Sequence, residues 1–361
     1  MNPKTYPLTV KKKIIECDDA CTLVLSPRNE DRKLFSYKPA QFLSFHMEIN
    51  KQQFTRSYSI SSSPLAEEDL TTSIKKVHNG HVSSHIVDHI QEGDTIQSTI
   101  PRGRFFKMPD NLKPRHYLLL AAGSGITPLF SILKTALLLD EQNHVTLVYC
   151  NRKETSIIYK AELEKWKKTY PTRLKIISIL SQPDSTEYDF KGRINENILK
   201  QILGNIKTSL EMEAYLCGPI DLMTMAETVL RSRLDKKQIR KESFGTTAKK
   251  KNIQLPKSAV IISADASEKG DVETIKALLE GEQIEIPAEP EISILEQLIE
   301  AGFSPPFSCM EGNCMTCMAV LKKGQVYQDE AGILAPENIS DKEILTCQAK
   351  PLSPIVEVDY D

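Results

Sequence analysis

Four cysteines have the residue type and spacing for redox chemistry. Cys309, Cys314 and Cys317 lie in "FSCMEGNCMTC", spaced C-x4-C-x2-C, and Cys347 follows in "ILTCQA". A structural zinc site takes two close pairs, and here there is one. Eight cysteines in 361 residues are too few for a disulfide scaffold. They suit a reducing cytoplasm in which thiolates are kept for a metal centre. The C-x4-C-x2-C…C pattern is that of a thiolate-held [2Fe–2S] cluster. Within the loop, Gly312 permits a tight fold and small Thr316 avoids crowding. Backbone N–H groups there can point at the sulfurs and tune their potential.

A second set suits a flavin. "RSYS" supplies Arg56, Tyr58 and Ser59. An arginine fork matches a pyrophosphate, a tyrosine can lie flat on an isoalloxazine, and a serine hydroxyl can bond near flavin N5. "GHVSSHI" supplies Gly80, Val82 and Ser83 at a glycine turn that starts a helix, where N–H groups face a phosphate. His81, His85 and His89 recur every four residues on one helix face, a pattern that also suggests a metal. With no acidic or cysteine partner evident, phosphate binding explains this helix start better.

A third set suits a pyridine nucleotide. "AAGSGITP" follows an apolar strand and opens a helix. Gly123 and Gly125 permit close backbone approach, and Pro128 fits a first helical turn. "YLCGPIDLM" ends another strand with Cys217, Gly218 and Pro219. Gly123, Thr127 and Cys217 are expected to line the nicotinamide pocket, although Cys217 also reads as a small buried hydrophobe. After "VTLVYC" no acidic residue offers itself to a ribose 2′-hydroxyl. Asn151, Arg152 and Lys153 stand there instead, a slight lean to NADPH over NADH. Phe244 either closes the second flavin face or simply packs.

These residues sit on three textures. Short alternating runs from the start to residue 110 predict an antiparallel barrel. Alternating strands and helices over 111–245 predict a parallel sheet with helices on both faces. The polar, lysine-rich stretch 246–257 reads as a linker, its lysines a solvated connection rather than a docking patch. Residues 258–361 predict a small α+β domain, with a helix in "ISILEQLIEAG" ended by Gly302. The stretch "YLLLAAGSGITPLFSILKTALLL" resembles a membrane span, but Gly-Ser-Gly and Thr-Pro interrupt it, so a buried strand, turn and helix are expected. Hydrophobic residues make up 40% and charged residues 26%, as in globular domains. The net charge of −2 gives no basic field for nucleic acid. "MNPKTYPLTVKKK" lacks the apolar core of a secretory signal.

In order, "RSYS", "GHVSSHI" and "GDTIQSTIPRGRF", then "AAGSGITP" and "YLCGP", resemble the ferredoxin–NADP reductase superfamily. "PFSCMEGNCMTCMAVLKKGQV" and "ILTCQAKP" resemble plant-type ferredoxins, which implies a β-grasp fold there. The whole is similar to the reductase components of multicomponent oxygenases, such as those of phenylacetyl-CoA epoxidase and ketosteroid hydroxylase systems. The resemblance implies bound FAD, held by Arg56, Tyr58, Ser59, Gly80, Val82 and Ser83, and preferred to FMN because "GHVSS" is intact. It implies one iron on Cys309 and Cys314 and the other on Cys317 and Cys347. It implies an electron path from NAD(P)H through FAD to the cluster and on to a partner oxygenase, with Tyr58, Ser59 and Cys217 at the reacting centre. The linker would let the small domain swing. Two departures stand out: Met315 where the family often has glycine, and a long "SEKGDVETIKALLEGE". Two other functions remain open. One is a stand-alone reductase for a ferredoxin-like or stress-response acceptor; the other is an adaptor stapled by zinc.

Overall fold

The computed structural model describes residues 5–66, 69–77, 80–103, 105–109, 113–186, 188–242, 244, 259–265, 270–303, 305–307, 315–328 and 334–361. Cys309, Gly312, Cys314 and the expected linker 246–257 lie outside them. The chain divides into two compact units: Thr5–Phe244, and one carrying the described residues from 259 to 361.

The first unit begins with strands β1 (Tyr6–Cys17), β2 (Ala20–Pro27), β3 (Phe42–Ile49), β4 (Gln52–Ser59) and β5 (Leu70–Lys75), helix α1 (His81–His89) and strand β6 (Thr95–Ser98). They form one antiparallel sheet in the order β4-β3-β6-β1-β2-β5. An isolated bridge between Ile60 and Thr72 joins the two ends, so the sheet curls into a barrel. The β3–β4 hairpin turns on Asn50 (φ 52°) and Lys51 (φ 65°), the two-residue left-handed turn that matches strand twist. The interior is filled by Leu8, Leu23, Leu43, Phe45, Ile74 and, from α1, Ile86, all of them 0% exposed.

The same unit continues with β7 (Arg115–Ala122), α2 (Ile126–Leu139), β8 (His144–Asn151), α3 (Lys160–Thr169), β9 (Leu174–Leu180), β10 (Phe190–Lys191), α4 (Glu196–Gly204), β11 (Glu211–Cys217), α5 (Ile220–Leu230) and β12 (Ile239–Glu242). The sheet is wholly parallel, in the order β10-β9-β8-β7-β11-β12. Central β7 is buried on both faces, which is why "YLLLA" is uniformly apolar.

Helix α2 explains the span-like hydropathy. One side packs on the sheet and the other meets the barrel. Ser131 Oγ donates to Ser62 O at 2.6 Å and accepts from Ala40 N at 3.2 Å. Ser63 and Thr135 share a hydroxyl bond of 2.8 Å. Lys134 is buried with its ammonium 4.5 Å from the Phe130 ring centre. The polar residues on this apolar helix are therefore bolts between barrel and sheet. Helix α3 starts at Lys160, three residues later than "IIYKAELEKWKKTY" suggests. Tyr159 takes φ 60°, its ring stacks on Phe130 at 4.5 Å, and its N–H donates to Glu16 Oε2 at 2.9 Å. Burying this ring holds the backbone outside the helix.

The second unit contains β13 (Val260–Ser263), β14 (Thr274–Leu279), β15 (Glu282–Pro287), α6 (Ile294–Glu300), β16 (Met318–Lys323), β17 (Gln325–Gln328), α7 (Pro336–Ser340), β18 (Glu343–Leu345), β19 (Lys350–Pro351) and β20 (Ile355–Asp359). A mixed sheet, β15-β14-β20-β16-β18, and a small sheet, β13-β17-β19, enclose a core of Ile275, Leu298, Ile344, Val356 and Val358. Ser293 caps α6 in a reciprocal box with Glu296, and Gly302 (φ 96°) ends it as its sequence predicts.

Candidate redox site

Strand β4 carries the residues expected to hold a flavin. Register pairs Leu43 with Tyr58 and Phe45 with Arg56, so Arg56 and Tyr58 share one face, two residues apart. Tyr58 is half-buried and its ring lies 5.3 Å from that of Phe45. Burial pushes its hydroxyl far above the ordinary tyrosine range, so it stays neutral. The Arg56 guanidinium is exposed and touches Thr55 O at 2.7 Å. Phe54, next along the same face, stacks on His81 at 6.0 Å. That contact brings the start of α1 beside the β4 residues.

Helix α1 opens at Gly80 with no side-chain cap and no acidic residue in its first turn. A Cβ on Gly80 would lie 2.7 Å from Ser83 Oγ. Ser83 Oγ accepts from Val77 N at 3.0 Å, so the hydroxyl shapes the turn, while backbone N–H groups at the helix start remain for an anion. Val82 is buried beneath them. His85 and His89 pair with each other at 5.2 Å, and among the described residues no group of three metal-ligating side chains converges.

The two nucleotide motifs meet where their strands end. β7 and β11 are parallel neighbours with Ala121 opposite Cys217. A Cβ on Gly125 would sit 2.1 Å from Cys217 O, and one on Gly218 would sit 2.9 Å from the Ala122 Cβ. These glycines permit the loops to touch. Gly123 differs: it has φ 54° and open space where a side chain would be. It is the glycine that leaves the backbone accessible. Thr127 is buried and donates to Ser124 O at 2.9 Å, bracing the turn. Cys217 is fully buried, and desolvation, followed by the Glu242 charge, holds its thiol protonated. Pro219 is the N-cap of α5, and Phe244 is exposed.

One residue that sequence reasoning missed ties these parts together. Glu242, on β12, lies opposite Cys217, and its Oε2 accepts from Ser59 Oγ at 3.2 Å. A carboxylate from the parallel sheet thus reaches the last residue of β4. The signal was present in "KESF", two positions before Phe244.

A cleft of about 540 Å³ opens beyond β8 and β9, lined by Arg152, Ser181, Gln182 and Arg193. Arg152 Nε donates to Gln182 Oε1 at 2.8 Å. Lys153 pairs with Asp184 at 3.0 Å. Arg193 is the second cation of the cleft, again unanticipated. The side-chain amide of Asn151, the residue before Arg152, is buried with neither its oxygen nor its nitrogen paired among the described residues. A buried amide left unpaired suits a polar ligand.

In the second unit, Cys317 and Cys347 are buried and brought together by Thr346. Thr346 N and Thr346 Oγ1 both donate to Cys317 O, at 3.1 and 2.8 Å. Gln348 Nε2 reaches Cys347 Sγ at 3.6 Å. Met315 adopts φ 57°, a left-handed conformation that favours glycine. The backbone at this departure from the ferredoxin pattern therefore keeps the shape that glycine would allow. Two buried cysteines joined through Thr346, one with a donor at its sulfur, suit thiolate-held iron.

Three family models match in series: an oxidoreductase FAD-binding domain over residues 7–106, an oxidoreductase NAD-binding domain over 119–228, and a 2Fe–2S iron–sulfur cluster binding domain over 278–352. The chain is 31% identical to one of the subunits of the 1,2-phenylacetyl-CoA epoxidase of Escherichia coli, covering 99% of this chain and 98% of that protein. It is 33% identical to the ferredoxin reductase component of 3-ketosteroid-9-alpha-monooxygenase of Mycolicibacterium smegmatis, covering 98% and 96%. The chain belongs to the FAD- and [2Fe–2S]-containing reductases of the ferredoxin–NADP reductase superfamily. This reductase also shares the fold of phthalate dioxygenase reductase, with a TM-score of 0.56, 22% identity and 98% of each chain covered. FAD, a [2Fe–2S] cluster and NAD(P)H are thus the cofactors and donor of the reductase. No helix among its described residues is long and apolar enough to cross a membrane.

Proposed function

We propose that this reductase takes electrons from NADPH and delivers them singly, through FAD and its cluster, to a partner oxygenase in the cytoplasm. The flavin supplies the conversion of an electron pair into single electrons, and the cluster carries one at a time. The residues do the positioning. Arg56 and the start of α1 hold pyrophosphate charge, and the Tyr58 ring offers a flat apolar face. Gly123 leaves room for the nicotinamide above β7, while Cys217 forms a neutral floor. Ser59 and Glu242 fix a hydrogen-bonded pair at the seam between the two halves. The seam is the observation that carries the reading: there a flavin-strand hydroxyl and a nucleotide-sheet carboxylate meet at one point. Cys309, Cys314, Cys317 and Cys347 are the cluster ligands in this reading.

The choice of NADPH rests on the cleft of Arg152 and Arg193. Two guanidinium groups with Ser181 and Gln182 suit a dianionic 2′-phosphate, and among the described residues no carboxylate lines the cleft to prefer a 2′-hydroxyl. Full-length reductase assayed with dye should show kcat/KM higher for NADPH than for NADH. R152A with R193A should remove that preference by raising KM for NADPH alone. Equal use of both nucleotides by the native protein contradicts the assignment. The oxygenase partner is supported by the relatives, whose names associate them with epoxidase and monooxygenase systems. Turnover of a reconstituted oxygenase, against none with ferredoxin-like acceptors, separates it from a stand-alone role.

A further inference from the structure

Tyr360 is held in place on both sides. Its N–H donates to Leu278 O at 3.0 Å. The carboxylate of Asp361, the next residue, accepts from Glu280 N and Gly281 N, each at 2.7 Å. These two form the left-handed turn of the β14–β15 hairpin, with φ 53° and 76°. The direction of the side chain follows from register. Val356 and Val358 are core residues of β20, so Tyr360 continues the same face. Asp359 lies opposite Val320 of β16, which aligns Tyr360 with Ala319, and Ala319 shares its face with Cys317 two residues earlier.

The Tyr360 hydroxyl is buried and has no hydrogen-bond partner among the described residues. The Thr346 hydroxyl lies nearby and donates to Cys317 O. A buried hydroxyl left unpaired is costly, so it calls for an acceptor that the described residues do not supply. A phenolic hydroxyl carries its proton at neutral pH, so it is a standing donor.

We propose that the Tyr360 hydroxyl donates a hydrogen bond to a sulfur on the Cys317–Cys347 side of the cluster and raises its reduction potential. The inference rests on the reading of these cysteines as cluster ligands. Reduction adds negative charge to the cluster, and a donor aimed at sulfur stabilises the reduced state more than the oxidised one. Gln348 Nε2, at 3.6 Å from Cys347 Sγ, acts in the same sense from another direction.

The test is a spectroelectrochemical titration of the full-length holoprotein. Y360F removes only the oxygen. Its cluster should become harder to reduce, with the reduced-to-oxidised ratio at fixed potential falling by about tenfold, or about 59 mV for one electron. 3-Fluorotyrosine placed at position 360 keeps the shape but donates more strongly, and should move the midpoint the other way. Opposite signs distinguish a hydrogen bond from packing. Iron and sulfide content is measured first. Native protein lacking a cluster refutes the ligand assignment itself. An intact cluster whose midpoint is unmoved by Y360F overturns the role of Tyr360. If Y360F does not hold a cluster, the fluorotyrosine protein decides: no upward shift overturns the proposal.

Discussion

Ser59 Oγ donates to Glu242 Oε2 at 3.2 Å, although 183 residues separate them in sequence. The bond joins the end of the flavin strand to the last strand of the nucleotide sheet. Glu242 also lies opposite Cys217, so hydroxyl, carboxylate and thiol meet at one seam. E242Q keeps the shape and removes the charge. NADPH-driven flavin reduction in rapid mixing should slow by roughly 10²-fold, the scale of losing one preorganised polar partner, with FAD still bound. An unchanged rate denies Glu242 a part in the reaction.

The glycines near this seam have separate duties. G125A forces a Cβ to 2.1 Å from the Cys217 carbonyl oxygen, a backbone atom that cannot yield cheaply. Denaturant unfolding should show a loss of about 1–3 kcal/mol or more, as for overpacked cores. G123A meets nothing within 4 Å and carries only the strain of φ 54°, about 1–2 kcal/mol. It should fold but bind NADPH more weakly, because the methyl occupies space left for the nucleotide. The reverse ranking in stability contradicts this division.

Met315 holds a left-handed conformation at φ 57° beside the cluster cysteines. M315G relieves about 1–2 kcal/mol of strain and gives back about half of that as unfolded-chain entropy. Thermal unfolding of the cluster domain, followed by loss of visible absorbance, should move upward by a few degrees. A downward shift shows that the methionine side chain contributes more than its backbone costs.

His116 is buried with its Nε2 2.9 Å from Thr146 Oγ1, and burial, with His144 nearby, lowers its pKa to about 4. The unfolded chain takes up this proton near pH 6.5 and the folded chain only near 4. Between these values the unfolded state binds more protons, so stability falls as pH is lowered through the window. The contribution is of order 3 kcal/mol. H116Q should flatten the dependence of unfolding free energy over pH 4–6.5 while keeping a polar contact to Thr146. A slope identical to native removes His116 as its source.

Periodicity reveals what is repetitive. Strands such as "HYLLLAA" and helices such as "TPLFSILKTALLL" carry their burial in their composition, so barrel and parallel sheet were legible. The start of α3 was not, because the αL turn at Tyr159 answers to a stacking contact with Phe130. Candidate site residues could be nominated where spacing is local: Cys317, "RSYS" and the Gly123 loop. Glu242 and Arg193 were not, since each gains meaning only when distant strands align it with Ser59, Cys217 or Arg152. Lys153 pairs with Asp184, which a linear pattern does not reveal. Tyr360 looks like an ordinary strand residue until the register of β20 against β16 sets it beside Cys317.

The central claim is that one chain splits an electron pair from NADPH between a flavin and an iron–sulfur cluster. Anaerobic mixing of full-length native protein and C347S with one equivalent of NADPH, followed in the visible range, tests it most directly. Native protein should bleach flavin absorbance first and cluster absorbance next. C347S should lose the cluster phase and keep the flavin phase. A native protein whose cluster absorbance does not change on adding NADPH, or a C347S protein that binds FAD yet cannot reduce it, contradicts the account.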